Sequence, residues 1–196
     1  MLPTRVLLAL TTLCLCAAAA VFGVWLAQRG EDAPAATGWE GSARPPGTRL
    51  PDFSLTTQDG EAVTAAALRG RPLVVTFIYS TCEDTCPGQV QSIRGALDDL
   101  GRDVPVVGVS VDPGNDTPRS AQAFLLEQSM KGRMDFLLGT REQLEPVWQA
   151  FGIAPQREGR EHSAYTVLVD RDGRQQVGFP ASQLTPRALA RDLARL

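Results

Sequence analysis

The pattern that most limits the fold of this chain is an alternation of strand-like and helix-like apolar segments that begins at Leu73. Residues 73–79 (LVVTFIY) form a short, nearly continuous and β-branched apolar run, which is typical of a strand buried on both faces. Helical spacing follows at Val90, Ile93, Leu97 and Leu100. Residues 104–111 (VPVVGVSV) then have the composition of a second strand. Strands that alternate with helices predict an α/β domain.

The alternation continues to the end of the chain. Further helices are predicted to begin at Thr117, Thr140 and Thr185, the first two by side-chain capping. Further strands are predicted at residues 136–138, 164–169 and 175–179, and a hairpin turn joins the last two. An earlier hairpin is predicted at residues 53–63. This order of elements predicts a thioredoxin-like mixed sheet flanked by helices.

The N-terminal segment differs from the rest of the chain. Residues 6–27 are 22 consecutive uncharged and mostly apolar residues. As a helix they would rise about 33 Å, which is enough to cross the roughly 30 Å hydrocarbon core of a bilayer. Residues 1–27 are therefore predicted to be a transmembrane anchor. The alternative is a cleaved signal peptide, because Ala17–Ala20 offers small residues at a cleavage site. The flanking charges favour a cytoplasmic N-terminus, which places the C-terminal domain on the extracytoplasmic side of the cell membrane.

Residues 28–47 are predicted to be a flexible linker, because they contain four Gly, three Pro and no apolar periodicity. The remaining residues, 48–196, have the length of one domain. Hydrophobic residues make up 43% of the chain and its formal net charge is −3. This composition excludes a generally disordered chain. It also argues against nucleic acid as the main ligand, which would favour a basic face.

The four cysteines form two pairs of different character. Cys14 and Cys16 lie in the apolar N-terminal segment. Two residues apart on a helix they face different directions, so they are interpreted as small apolar residues. Cys82 and Cys86 lie between the strongest predicted strand and the first long helix. A spacing of four residues in a loop that becomes a helix allows both sulfurs to point the same way.

The location of Cys82 and Cys86 predicts reactive thiols. The N-terminus of a helix lowers the pKa of a thiol, so one or both are expected to be thiolate near neutral pH. Thiolate binds soft metals such as Cu(I) and also attacks disulfides. A structural disulfide is the third interpretation, although a bridge that closes so small a loop constrains the unfolded chain little. A zinc site would need four ligands, and Glu83 or Asp84 would have to complete the set.

His162 is the single histidine of the chain and lies just before the strand predicted at residues 164–169. An isolated histidine is more often a surface or core residue than a ligand. The thiol pair changes this expectation, because an imidazole added to two sulfurs makes a site that suits Cu(II) as well as Cu(I). If a nitrogen side chain completes the site, it must be that of His162.

With these residues identified, the domain resembles the Sco/SenC family of copper-binding proteins. The resemblance extends over roughly residues 50–196 and rests on three elements in the same order as in the family. They are Cys82-x-x-x-Cys86-Pro87 after a strand, Ser110-Val111-Asp112-Pro113-x-x-Asp116-Thr117-Pro118, and His162-Ser163 before a strand and an Asp-Gly turn.

The resemblance implies a membrane-anchored thioredoxin-like protein with Cys82, Cys86 and His162 as ligands of copper, as Cu(I) or Cu(II). It implies a copper metallochaperone that delivers copper to the binuclear copper centre of cytochrome c oxidase, with the copper-bearing oxidase subunit as its partner. The alternative is a membrane-anchored thiol–disulfide oxidoreductase that reduces the copper-ligating cysteines of that subunit. The two cysteines would then be its catalytic residues, and the histidine would have no obligatory role.

One residue departs from the family pattern, and two others have a structural interpretation. Glu83 occupies a position where the family commonly has Pro, and its charge would tend to raise the thiol pKa. Asp112 and Asp116 are interpreted as a turn former and a helix-start charge. A peroxiredoxin-like peroxidase is a further alternative, but Tyr79 stands where that family has Thr.

Overall fold

The computed structural model describes Pro3, residues 38–156 and residues 163–196. One compact unit extends from Trp39 to Leu196. Its described strands are β1 (Ser42–Ala43), β2 (Ser54–Thr56), β3 (Ala62–Thr64), β4 (Leu73–Ile78), β5 (Val106–Ser110), β6 (Asp135–Leu137), β7 (Tyr165–Val169) and β8 (Gln175–Pro180). Its described α-helices are α1 (Thr85–Leu100), α2 (Pro118–Glu127), α3 (Arg141–Phe151) and α4 (Pro186–Leu193).

Six of these strands form one mixed sheet in the order β1-β8-β7-β4-β5-β6. Strands β4, β5 and β6 are parallel, whereas β7 is antiparallel to β4 and β8 is antiparallel to β7. Strands β2 and β3 form the separate hairpin that was expected at residues 53–63. The prediction of a mixed, thioredoxin-like sheet is therefore confirmed.

Strand β4 lies at the centre of the sheet, and all six of its side chains are buried. Alternate residues face opposite layers, because successive side chains of a strand point to opposite sides of a sheet. Val74 and Ile78 pack with the apolar residues of α1, α2 and α4. Val75 and Phe77 pack with α3 on the other face. Helices on both faces explain why this run is apolar without interruption.

Three helices begin at the threonines that the sequence indicates. The hydroxyl oxygens of Thr117, Thr140 and Thr185 each accept a hydrogen bond from the backbone N–H three residues later. Helix α1 begins differently, because its N-cap residue Asp84 makes no such side-chain hydrogen bond. The helix that carries Cys86 therefore starts without the capping interaction that the other three have.

The N-terminal end of the compact unit is attached to α4. The carboxylate of Asp192, which is fully buried, accepts the backbone N–H groups of Glu40 and Gly41 at 3.0–3.1 Å. Strand β1 then pairs with β8. Residues 39–44, which composition assigns to the end of the linker, thus pack on the domain. The described residues include no helix with the length and hydropathy of a membrane span, and the anchor predicted at residues 1–27 lies almost wholly outside them.

Candidate metal centre

The loop between β4 and α1 carries the two candidate sulfur ligands. After Ile78 the chain makes a tight turn, in which the N–H of Cys82 donates to the carbonyl oxygen of Tyr79 at 3.3 Å. Helix α1 begins at Thr85, so Cys86 is its second residue. The turn places the first cysteine just before the helix and the second within its first turn.

The two cysteines are thiols that contact each other. The backbone N–H of Cys86 donates to the Sγ of Cys82 at 3.3 Å, and the two side chains are also hydrogen-bonded to one another. Cys82 is 6% exposed and Cys86 is fully buried. Although the pair lies where a loop becomes a helix, both thiols belong to the core between α1 and the sheet.

The environment of Cys86 raises the pKa of its thiol. The largest cause is the hydrogen bond with the Cys82 side chain, and burial adds to it, whereas a hydrogen bond from the Tyr79 backbone acts in the opposite direction. The raised pKa therefore disfavours a thiolate at Cys86 near neutral pH. The physical reason is that the hydrogen bond with Cys82 and the loss of hydration both favour the protonated thiol, and together they outweigh the hydrogen bond from the Tyr79 backbone.

Tyr79 extends the contacts of the sulfur pair. Its side chain is hydrogen-bonded to that of Cys82, and burial together with this bond raises the pKa of the phenol. Tyr79 is partly buried and packs against both core layers. In the sequence, Tyr79 is informative only as evidence against a peroxidase. No sequence pattern indicates its contact with Cys82.

Asp116 joins the cysteine-bearing loop to the loop that follows β5. Its Oδ1 accepts the backbone N–H of Ser80 at 2.7 Å and the Ser80 hydroxyl at 2.6 Å. Its Oδ2 accepts the hydroxyl of Ser110 at 2.5 Å. Burial raises the pKa of the Asp116 carboxyl, while the serine hydrogen bonds lower it. The interpretation of Asp116 as only a helix-start charge is therefore incomplete.

Asp112 behaves as the sequence suggests. Its carbonyl oxygen accepts the N–H groups of Asn115 and Asp116, and its carboxylate accepts the Asn115 side chain. These contacts stay within one turn. The difference between the two aspartates follows from a contact that spans 36 residues, for which no local sequence pattern exists.

His162 lies outside the described residues, but the chain on either side of it is described. The N–H of Ala154 donates to the hydroxyl of Ser163 at 3.1 Å, and the N–H of Ser163 donates to the carbonyl oxygen of Ala154 at 3.2 Å. The N–H of Gln156 donates to the carbonyl oxygen of Val111, at the end of β5, at 2.9 Å. These bonds hold the two ends of the segment containing His162 together, beside the end of β5.

Gln89 contacts the start of β7 from α1. It is 2% exposed, and its Nε2 donates to the carbonyl oxygen of Tyr165 at 3.1 Å and to the hydroxyl of Thr166 at 3.0 Å. The hydroxyl of Thr76 on β4 is a further partner. Gln89 lies three residues after Cys86, on the buried stripe of the helix. In the sequence, Gln89 could be recognised as a polar residue at a position that the helical spacing predicts to be buried.

The described residues supply two ligands of the expected site. Within residues 38–156 and 163–196, no three His, Cys, Asp or Glu side chains lie close enough together to hold a metal ion. Neither Glu83 nor Asp84 therefore joins the thiols in such a group, although both are exposed close by. The four-ligand zinc site that depended on one of them has no support in this arrangement.

Comparison with known proteins identifies the family. The family model described as SCO1/SenC matches residues 42–196, which include the cysteine loop, the Asp116 loop and His162. This chain belongs to the SCO1/SenC family. The sequence-based resemblance to Sco/SenC proteins is thereby confirmed.

Other SCO1/SenC proteins share this fold and part of the sequence. The structure of Bradyrhizobium japonicum ScoI with copper bound is 32% identical and has a TM-score of 0.63, with 75% of this chain and 98% of that chain covered. A structure of BsSco, described as having a disulfide switch, is 25% identical with a TM-score of 0.65, and covers 78% of this chain and 96% of that one. Protein SenC of Rhodobacter capsulatus is 36% identical over 104 residues, which are 50% of this chain and 45% of that protein. The chain spans 35–64% of the length of the first curated relatives.

Proposed function

We propose that this protein is a membrane-anchored copper metallochaperone with Cys82, Cys86 and His162 as ligands. Its anchor would be residues 1–27, and its copper-binding domain would lie on the extracytoplasmic side. It would deliver copper to the copper-bearing subunit of cytochrome c oxidase, at the binuclear copper centre. The observation that supports this proposal most is that residues on both sides of His162 are hydrogen-bonded to elements around the cysteine loop: Gln156 to Val111 after β5, and Tyr165 to Gln89 on α1.

The first of these connections runs through the ends of two neighbouring strands. Gln156 donates to Val111 at 2.9 Å, and Val111 donates to the carbonyl oxygen of Ile78 at 3.0 Å. Ile78 is the last residue of β4, immediately before the turn that ends at Cys82. The chain that leads towards His162 is thus tied, through two backbone hydrogen bonds, to the strand that leads to the first cysteine.

The second connection runs through α1. Gln89, one turn after Cys86, donates a hydrogen bond from its Nε2 to the carbonyl oxygen of Tyr165 at the start of β7. Ser163 comes two residues before Tyr165 and directly follows His162 in the chain. The described chain that directly follows His162 is therefore held to the helix that carries Cys86.

The chemistry of the three side chains suits copper as cargo. Two soft sulfur ligands select Cu(I), and an added imidazole makes the set compatible with Cu(II). A three-ligand site leaves the metal open to an incoming thiolate of the acceptor protein, so copper can pass by exchange of one ligand at a time. The copper-bound structure of ScoI and the description of BsSco as a member of a family of cytochrome c oxidase assembly proteins support both the cargo and the acceptor.

Copper titration of the full-length protein tests the ligand set. We expect one copper per chain, with affinity reduced in Cys82→Ala, Cys86→Ala and His162→Ala by more than the roughly 10–100-fold that loss of a supporting residue around a metal typically costs. The matched control is the double variant Cys14→Ala/Cys16→Ala, which should bind like the wild type. If His162→Ala binds Cu(II) with unchanged affinity and an unchanged absorption spectrum, the ligand assignment is wrong.

A thiol–disulfide oxidoreductase is the second candidate, and the contact between the two thiols favours it. One thiolate would attack a disulfide of the oxidase subunit to give a mixed disulfide, and the second cysteine would displace the reduced product and leave a Cys82–Cys86 disulfide. The BsSco disulfide switch supports such a couple. The same variants distinguish the two functions: reduction of an oxidised subunit-derived peptide by His162→Ala at the wild-type rate, together with unchanged copper binding, would favour the oxidoreductase.

A further inference from the structure

The turn that carries Cys82 is held from outside its own segment by the carboxylate of Asp116, and the Ser80 hydroxyl also lies 2.8 Å from the Ser120 hydroxyl. Ser80 lies two residues before the cysteine. Its backbone N–H donates to Oδ1 of Asp116 at 2.7 Å, and its hydroxyl donates to the same oxygen at 2.6 Å. The hydroxyl of Ser110 donates to the other oxygen. Three donors from two strand ends therefore converge on one acidic group.

These bonds are stronger than the bond that closes the turn itself. The turn is closed by the N–H of Cys82 at 3.3 Å from the carbonyl oxygen of Tyr79, which is a long hydrogen bond between neutral groups. The bonds to Asp116 are 0.6 Å or more shorter, and bonds to a carboxylate are roughly twice as strong as neutral ones. The position of the turn is therefore set mainly by the aspartate.

We propose that Asp116 is the positioning residue of the cysteine pair. It fixes Ser80 and so keeps the Sγ of Cys82 beside Cys86, whose backbone N–H donates to that sulfur at 3.3 Å. The consequence for copper affinity rests on the function proposed above, whereas the consequence for thiol protection does not. Asp116 is thus proposed to act through the loop that it holds, and it is not one of the proposed metal ligands.

Asp112 provides a matched control for this role. It is also acidic, lies in the same loop after β5 and is partly buried. Among the described residues, its carboxylate accepts the side chain of Asn115 within its own turn. A general effect of disturbing this loop would appear in Asp112→Ala as well, whereas loss of the link to Ser80 would not. An effect of the Asp116 charge itself on the thiols would appear in Asp116→Asn, which loses the charge but keeps an oxygen that accepts from Ser80.

The copper-free test is the rate at which iodoacetamide alkylates the reduced full-length protein, followed by mass spectrometry of the peptide containing Cys82 and Cys86. We expect Asp116→Ala to react about tenfold faster than the wild type, because the turn no longer shields the sulfurs. Asp116→Asn should restore much of the protection, since its amide oxygen still accepts from Ser80. Asp112→Ala should react at the wild-type rate. If Asp116→Ala does not fold, Ser80→Ala replaces it, and a several-fold increase is expected from loss of the hydroxyl link.

The second readout is Cu(I) affinity, measured by competition with a chromophoric chelator. Asp116→Ala should bind about 10–100-fold more weakly than the wild type, with partial rescue in Asp116→Asn. Equal alkylation rates and equal affinities for the alanine variants at 116 and 112 would overturn the positioning role. A wild-type protein that binds no copper, combined with faster alkylation of Asp116→Ala, would leave the positioning role intact and remove the proposed chaperone function.

Discussion

At the scale of single residues, the contact between the two thiols and their burial decide the protonation of the site more than position in a helix does. Cys86 occupies the start of α1, where a thiolate is normally favoured, yet its contacts with Cys82 and the core raise its thiol pKa. Metal binding to such a thiol must release its proton, so the energetic cost of binding includes that deprotonation. A buried, protonated sulfur is protected until a strongly binding metal or a reaction partner displaces the proton.

Asp116 gives a prediction about pH. Burial raises the pKa of its carboxyl in the folded state above the ordinary value of about 3.9, so the folded protein binds this proton more readily than the unfolded chain. Stability therefore rises, for this group, as the pH falls from neutral through the raised pKa. In Asp116→Asn this contribution is absent, so the wild type should gain stability relative to the variant as the pH falls from 7 to 4. The free energy of unfolding of the variant minus that of the wild type should therefore decrease as the pH falls.

Denaturant titrations of both proteins at several pH values measure this difference, and the other carboxylates largely cancel because the two proteins share them. A difference that grows as the pH falls would show that the hydrogen bonds from the serines outweigh burial, and that the folded-state pKa is lowered instead.

At the scale of elements, one polar contact inside the core connects α1 with the centre of the sheet. Gln89 reaches Thr76 on β4 and both Tyr165 and Thr166 on β7. The hydroxyls of the two threonines are 3.0 Å apart. Buried polar groups of this kind stabilise a structure only when their partners are present, because an unpaired group keeps its full cost of desolvation. The helix of Cys86 and the strand after His162 are therefore coupled in position.

Replacement of Gln89 tests this coupling. Gln89→Ala removes the donor to the Tyr165 carbonyl and should lower the free energy of unfolding by about 1–3 kcal/mol, measured by chemical denaturation. Gln149→Ala is the matched control, since Gln149 is exposed on α3 and should change stability by no more than about 0.5 kcal/mol. Equal effects of the two substitutions would mean that the buried contact contributes nothing measurable.

At the scale of the whole domain, the chain end nearest the predicted anchor is fastened to the last helix. The carboxylate of Asp192 on α4 accepts hydrogen bonds from the backbone N–H groups of Glu40, 152 residues earlier, and Gly41, 151 residues earlier. Arg191 pairs with Glu40 at 2.8 Å, and Arg195 lies 4.4 Å from the ring centre of Trp39. The close approach requires a glycine at 41, because a Cβ there would lie 2.5 Å from Val177.

Asp192→Ala should detach this segment. Two backbone N–H groups would lose a charged acceptor, and we expect the free energy of unfolding of the full-length protein to fall by about 2–4 kcal/mol. Cleavage after Glu40 by a glutamate-specific protease should become faster. Asp99→Ala, at an exposed position of α1, should leave both measurements near the wild type. Unchanged cleavage in Asp192→Ala would show that the segment is held by other contacts.

Several features could be predicted from the sequence because they depend on neighbours in the chain. The burial of β4 follows from its apolar run, the starts of α2 and α3 follow from the caps at Thr117 and Thr140, and the early hairpin follows from its turn residues. The i, i+4 spacing of Cys82 and Cys86 likewise predicts neighbouring sulfurs. The metal-ligand role of these cysteines and of His162 stays a prediction that copper titration can test.

Other features depend on contacts between distant segments, and only the tertiary structure decided them. The burial of the thiols and the raised pKa of Cys86 depend on how α1 packs against the sheet. The link from Asp116 to Ser80 joins two loops only because β4 and β5 are parallel neighbours that end at the same edge. The hydrogen bonds from the N–H groups of residues 40 and 41 to Asp192 require the N-terminal and C-terminal ends of the domain to lie next to each other. A local sequence pattern contains no information about these long-range contacts, because each depends on how the whole domain packs.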